Sequence, residues 1–219
     1  YRDRMVLATK GGITPPTPYN SSAEYLTKAI DDSLSRLGTE YVDLWQIHRP
    51  DILTHPQEIA RTIEDAHKAG KIRAFGVSNF TTAQITTLAQ FSSVPIVSTQ
   101  PELSPLRIDT IENGELDQAI AMDLAVLAWS PLGGGRIGNP GDTREQNVAA
   151  ALSSVAAAHG VSRTAAAYSW IMAHPARPIP IVGSQNPARI IEAADAFKIK
   201  WTRADWYSVL VAARGVPLP

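Results

Sequence analysis

Short apolar runs alternate with helix-length amphipathic segments along the whole chain. Residues 5–9 read as a first strand that ends at Lys10-Gly11-Gly12, and a Pro-rich loop follows from Thr14 to Tyr19. Ser21 or Ser22 can cap a helix running to about Leu37. Leu26, Ile30, Leu34 and Leu37 fall at helical spacing, and Gly38 stands where a helix-ending glycine is expected. Residues 42–47 predict a second strand, 56 to about 69 a second helix closed by Gly70, and 72–77 a third strand. A short helix at 82–90 and a fourth strand at 94–98, ending at Thr99-Gln100, follow. The second half predicts a helix near 116–122 and a fifth strand at 125–128 that ends at Trp129-Ser130. After a Gly-rich irregular stretch at 131–144, helices are expected at 146–158 and 163–174. A sixth strand at 179–182 ends at Gly183-Ser184, its helix spans 187–197, and a last helix spans 203–213.

Strands that alternate with helices make an α/β protein with parallel strands. An open doubly wound sheet would carry Gly-x-Gly-x-x-Gly after its first strand. Neither Lys10-Gly11-Gly12-Ile13-Thr14-Pro15 nor Gly133-Gly134-Gly135 has that spacing. The pattern therefore favours a (β/α)8 TIM barrel, formed as one domain over 1–219. A complete barrel has eight strands, so about six βα units are represented and the two N-terminal ones are expected to be missing. The opening Tyr1-Arg2-Asp3-Arg4-Met5 fits that view, because Met5 already belongs to the first apolar run. Open barrel edges would favour self-association.

Composition narrows the class. Apolar residues make up 44% and charged residues 19%, with a formal net charge of -1. That balance offers no basic surplus for nucleic acid, and no apolar run reaches the ~20 residues of a membrane span. With no cysteine there is no disulfide, thiolate nucleophile or cysteine metal site, which suits a cytoplasmic protein. His48, His55, His67, His159 and His174 form no His-x-His or His-Glu-x-x-His pattern, so no metal is expected. Ser78, Ser130 and Ser184 lack the Gly-x-Ser-x-Gly elbow of a serine nucleophile.

The chemistry-bearing residues sit at the strand ends: Lys10, His48, Ser78 with Asn79, Gln100, Trp129 with Ser130, and Ser184. In a parallel barrel such positions converge on one face. Taken singly each has a plain reading: a solvated lysine, a structural histidine, a core tryptophan. Six coincidences at six strand ends are harder to set aside. Asn186 and Pro187 are suited to cap and begin a helix, whose N-terminus offers free N–H groups to an anion. Arg189, one turn in, could grip a phosphate or stack on adenine; the plain alternative is a capped helix with a solvated arginine.

Several segments carry a family resemblance. They are Leu7-Ala8-Thr9-Lys10, Ser33-Leu34-Ser35-Arg36-Leu37-Gly38, Tyr41-Val42-Asp43-Leu44, Ile47-His48-Arg49-Pro50-Asp51 and Gly70-Lys71-Ile72-Arg73. Gly76-Val77-Ser78-Asn79-Phe80, Trp129-Ser130-Pro131-Leu132 and residues 183–192 complete the set. Together they resemble the aldo-keto reductase superfamily, and the Trp-Ser-Pro-Leu-Gly-Gly-Gly run resembles a bacterial branch of predicted oxidoreductases within it. The resemblance implies a barrel that binds NADPH (as NADP+ after turnover) and reduces small-molecule aldehydes or ketones. It assigns Lys10 to lowering the pKa of a catalytic tyrosine and His48 to orienting the carbonyl. Ser78, Asn79 and Gln100 correspond to the clamp on the nicotinamide amide, and Trp129 to the aromatic that stacks on its ring. Ser130, Leu132, Gly183 and Gln185 fall in the cofactor-binding segments, and Ser184, Arg189 and Glu192 at the adenosine end.

Two departures matter. Gly183 stands where many relatives carry lysine, and Ala193 where many carry asparagine, which leaves the 2′-phosphate to Ser184, Arg189 and backbone amides. The family's catalytic Asp and Tyr precede the lysine strand, so this chain alone is expected to be inactive. Tyr19 has no motif to replace them. Two other readings follow from the same residues. One is a non-catalytic NADP(H)-binding auxiliary or sensor; the other is a different barrel chemistry with phosphate near Ser184 and Arg189. The loops at 11–21 and 133–144 would shape the substrate pocket without naming the carbonyl.

Overall fold

Each apolar run that alternates with an amphipathic segment becomes a strand followed by a crossover helix. The computed structural model describes residues 2–218 and divides into two units, one of residues up to 100 with 121–124, the other of 101–120 with 125 onward.

In the first unit a 3-10 turn (Arg2–Arg4) precedes β1 (Ala8–Gly11), α1 (Ala23–Leu37), β2 (Val42–Ile47) and α2 (Pro56–Lys68). Then come β3 (Ile72–Ser78), α3 (Thr82–Phe91) and β4 (Ile96–Gln100). Each strand pairs in parallel with the next, placing Lys10 opposite Gln46 and Ser78 opposite Gln100. Parallel neighbours need long crossovers, and the helices supply them. Helix α1 begins where Ser22 accepts a hydrogen bond from the Tyr25 amide at 3.3 Å and ends at Gly38 with φ 63°. Its Leu26 and Ile30, one turn apart, are buried with Trp45, Ile47, Ile63, Phe75 and Val77. Burial of such side chains stabilises by roughly 1.5–3 kcal/mol each.

The first strand starts at Ala8 rather than at residue 5, because Met5 and Val6 are 50% and 79% exposed and face no core. A carboxylate orders that entry instead: Asp43 accepts from the Leu7 amide at 2.9 Å and from Arg2 Nη1 at 2.7 Å. These bonds hold the Asp43 carboxyl below its ordinary pKa, the Leu7 amide first and Arg2 after it. β4 starts at Ile96 and carries through Gln100, since Pro95 has no N–H for the ladder.

The second unit contains α4 (Asp109–Glu112), α5 (Glu115–Ala121), β5 (Ala125–Ala128), a 3-10 turn (Gly133–Gly135), α6 (Thr143–His159) and α7 (Arg163–Met172). It continues with β6 (Ile179–Pro180), α8 (Pro187–Ala193), a second 3-10 turn (Ala194–Lys198) and α9 (Arg203–Arg214). β5 and β6 are parallel, with Leu127 opposite Ile179. Val126, Val148, Leu152, Trp170 and Val209 are fully buried, and Trp170 stacks on Trp206 at 4.9 Å.

Further boundaries in the second unit depart from the periodicity. α6 starts at Thr143 rather than 146, because Asp142 accepts from the Glu145 amide at 2.8 Å and caps it. β6 stops at Pro180 rather than 182. The helix expected at 187–197 is a seven-residue α8 that tightens into the second 3-10 turn. Among the described residues no helix is long and apolar enough to cross a membrane, and no group of three His, Cys, Asp or Glu could hold a metal.

Candidate functional site

In the first unit the carboxyl ends of four neighbouring strands deliver five of the expected residues into one hydrogen-bonded network. Near the end of β1, Lys10 Nζ donates to Gln100 Oε1 on β4 at 3.1 Å. The backbone carbonyl of Gln100 accepts from Ser78 Oγ at 2.7 Å and from the Asn79 amide at 3.2 Å. Asn79 Nδ2 donates to Ser78 Oγ at 2.9 Å and to the His48 carbonyl at 3.1 Å. The His48 amide donates back to the Gly11 carbonyl at 2.8 Å, which closes the circuit onto β1.

Local backbone makes these contacts possible. Asn79 sits at φ 59°, a left-handed conformation that asparagine tolerates and that turns its amide toward β2. Gly76 lies where a Cβ would stand 2.1 Å from Ser98 Oγ and 3.0 Å from the Ser98 carbonyl, so only glycine lets β3 and β4 approach there. Below the network, Gln46 Nε2 donates to Ser98 Oγ at 3.3 Å, with both residues buried.

Burial lowers the Lys10 pKa. The His48 imidazole is also lowered, first by burial and then by the charges of Lys10 and Arg49. A cation beside an imidazole held neutral is an arrangement that can polarise a carbonyl oxygen. Among the described residues Lys10 has no carboxylate partner.

In the second unit, six expected residues line one cleft of about 550 Å³: Ser130, Leu132, Gly183, Ser184, Arg189 and Glu192. Ser130 has φ 52° and lies two residues past the end of β5, and its Oγ accepts from the Gly134 amide at 3.1 Å. The glycine loop is fastened by Glu145, which is buried and accepts from Arg136 at 2.9 Å and from the Gly141 amide at 2.7 Å. Those bonds hold the Glu145 carboxyl below its ordinary pKa, the Gly141 amide foremost. Across the cleft, Ser184 Oγ accepts from the Asn186 amide at 3.1 Å, and Asn186 caps α8 through the Ala188 amide at 2.9 Å. Arg189 is exposed and, among the described residues, forms no ion pair.

Two expected residues do not line this cleft. Gln185 is exposed, and Trp129 is half-buried, pairing through its backbone with Pro101 at 3.0 Å and Leu103 at 3.3 Å. Sequence reasoning missed Thr164 and Tyr168 of α7, which line the cleft, and Glu145, which fastens its loop. A carboxylate three residues after the Asp142 cap was the available signal for Glu145. The two α7 residues sit in an alanine-rich helix whose pattern marks only core.

The aldo/keto reductase family matches residues 1–210. A 6-dehydroglucose reductase of Novosphingobium aromaticivorans is 63% identical over 218 residues, covering 100% of this chain and 72% of that protein. A 6-dehydroglucose reductase of Agrobacterium fabrum is 35% identical over 98% of this chain and 74% of its own length. The solved glycerol dehydrogenase of Gluconobacter oxydans superposes with a TM-score of 0.86 at 26% identity, covering 97% of this chain and 73% of that one. With its strand-end network, its polar cleft and matches of this extent, the chain belongs to the aldo/keto reductase family.

Proposed function

We propose that this chain binds NADPH and serves the reduction of a sugar aldehyde of the 6-dehydroglucose type. The network joining Lys10, Gln100, Ser78, Asn79 and His48 carries the reading. The residues present fit the cofactor. Asn79 and Gln100 bring amide groups suited to a carboxamide. The cleft of the second unit offers Arg189, a cation without an ion-pair partner among the described residues, the Ser184 hydroxyl and loop amides to a phosphorylated adenosine. When bound, the reduced nicotinamide supplies the hydride.

The chain's own groups do the rest. His48, kept neutral by burial and by Lys10, donates a ring N–H to the substrate carbonyl oxygen and stabilises the charge that grows there. Lys10 favours loss of a proton from an acid placed beside it. Arg189 and Ser184 favour NADPH over NADH through the 2′-phosphate. The sugar substrate is supported by the names of the relatives at 63% and 35% identity.

A fluorescence titration of the purified chain tests the reading, its five tryptophans serving as reporters. NADPH should bind saturably at one site and more tightly than NADH. Absence of binding by a folded chain would remove the proposal. Adding an aldehyde sugar and following NADPH absorbance separates binding from turnover.

A further inference from the structure

Helix α7 buries Ala165, Ala166, Ala167, Trp170 and Ile171, as an alanine-rich core helix should. Tyr168 departs from that role. It is only 5% exposed, yet its side chain lines the polar cleft on one side and an apolar cavity of about 580 Å³ on the other. Among the described residues its hydroxyl takes no hydrogen-bond partner. The oxygen keeps access to solvent at the cleft, where a ligand can reach it. Thr164, one turn earlier on the same helix, lines the same cleft and likewise has no partner among the described residues.

The surroundings define what these hydroxyls can meet. Burial, and then the Glu192 carboxylate, raise the Tyr168 pKa, so the phenol keeps its proton and is a donor at neutral pH. Facing it across the cleft are Ser184, Arg189 and Glu192. A ligand matching this set must present an acceptor to the phenol and the guanidinium and a donor to the carboxylate. A phosphorylated ribose carrying an amino-purine has both.

We propose that Tyr168 is a ligand-binding residue of this cleft, its O–H donating to an oxygen of the ribose 2′-phosphate, with Thr164 supporting the same wall. This rests on the reading that the cleft takes the adenosine end of NADPH. Tyr168 then belongs to the recognition of phosphorylated over unphosphorylated dinucleotide, a role that Gly183 leaves open in the same cleft.

Calorimetric titration of the full chain with 2′,5′-ADP, and separately with 5′-AMP, tests it. Tyr168→Phe removes the donor and keeps the ring that packs against the apolar cavity. We expect 2′,5′-ADP to bind this variant about five- to tenfold more weakly, with 5′-AMP and the melting temperature unchanged. Equal 2′,5′-ADP affinity in wild type and Tyr168→Phe overturns the proposal while leaving the cofactor reading intact. A lowered melting temperature with unchanged affinity, measured well below melting, also overturns it, since Tyr168 would then serve packing alone. If the wild-type chain binds neither 2′,5′-ADP nor NADPH, the cofactor reading itself fails.

Discussion

The two polar centres of this chain are built on opposite principles. In the first unit the polar side chains spend their hydrogen bonds within the network: Lys10 on the Gln100 side chain, Ser78 on the Gln100 backbone carbonyl, Asn79 on the Ser78 hydroxyl and the His48 backbone carbonyl. In the second unit the comparable groups face an open cleft, where Arg189 lacks an ion-pair partner and Thr164 and Tyr168 lack hydrogen-bond partners among the described residues. The first centre is organised before any ligand arrives, as transition-state stabilisation by fixed dipoles requires. The second keeps its polar capacity in reserve, as affinity for a charged ligand requires. A closed hydrogen-bonded network and an open polar cleft thus belong to differently built parts of one chain.

The largest effect should come from breaking the first centre at its foundation. Gly76→Ala sets a Cβ 3.0 Å from the Ser98 carbonyl, which cannot turn away, and 2.1 Å from a Ser98 hydroxyl already engaged by Gln46. Overpacking of this kind costs about 1–3 kcal/mol. Thermal unfolding should show a fall of several degrees, with roughly 2–4 °C for each kcal/mol in a chain of this size. An unchanged melting curve would mean that the close approach of β3 and β4 is not a constraint.

The opposite pattern is expected in the second centre. Arg189→Ala should weaken NADPH about ten- to a hundredfold, in line with a charge-assisted hydrogen bond, and leave NADH and the melting temperature alone. Calorimetry with both nucleotides checks this, and a comparable loss for NADH would detach Arg189 from the 2′-phosphate.

A smaller effect separates geometry from hydrogen bonding at Asn79. Both Asn79→Ala and Asn79→Gly remove the donor to His48 and Ser78, but alanine must also be held at φ 59°. Glycine should be the more stable of the two by ~1 kcal/mol in denaturant unfolding. Equal stability would show that the left-handed turn relaxes on substitution.

The mildest test is a pH dependence. His48 is a base whose folded pKa lies below its ordinary 6.5, so the unfolded chain binds the proton more readily. Its contribution is therefore neutral well above pH 6.5 and unfavourable below, and stability falls as pH drops through and beneath that value. His174, also lowered by burial, acts in the same direction, so the comparison needs a variant. His48→Gln should flatten part of the slope between pH 7 and 5 in unfolding measurements; an identical slope would mean that His48 titrates freely.

How much of this was legible beforehand differs between the two centres for the same reason. Strands β2 and β5 match their predicted bounds to the residue, with Val42, Trp45, Ile47, Val126 and Ala128 buried. The strand-end residues of the first centre stand directly after apolar runs and could be read from position. Met5 and Val6 misled because apolar character was taken for burial where no core waits. Tyr168 escaped notice because a tyrosine in an alanine-rich helix looks like packing, and only the fold shows that it lines both the cleft and the apolar cavity with a hydroxyl that has no partner among the described residues. Glu145 lay just past a Gly-rich stretch that hid the start of α6.

Amide hydrogen exchange with and without saturating NADPH tests the contrast most directly. The loop at 130–139 and the segment at 183–192 should gain protection, while the strand amides of β1 to β4 exchange as slowly without ligand as with it. Cleft amides indifferent to NADPH, or strand ends that become ordered only on binding, would contradict the account.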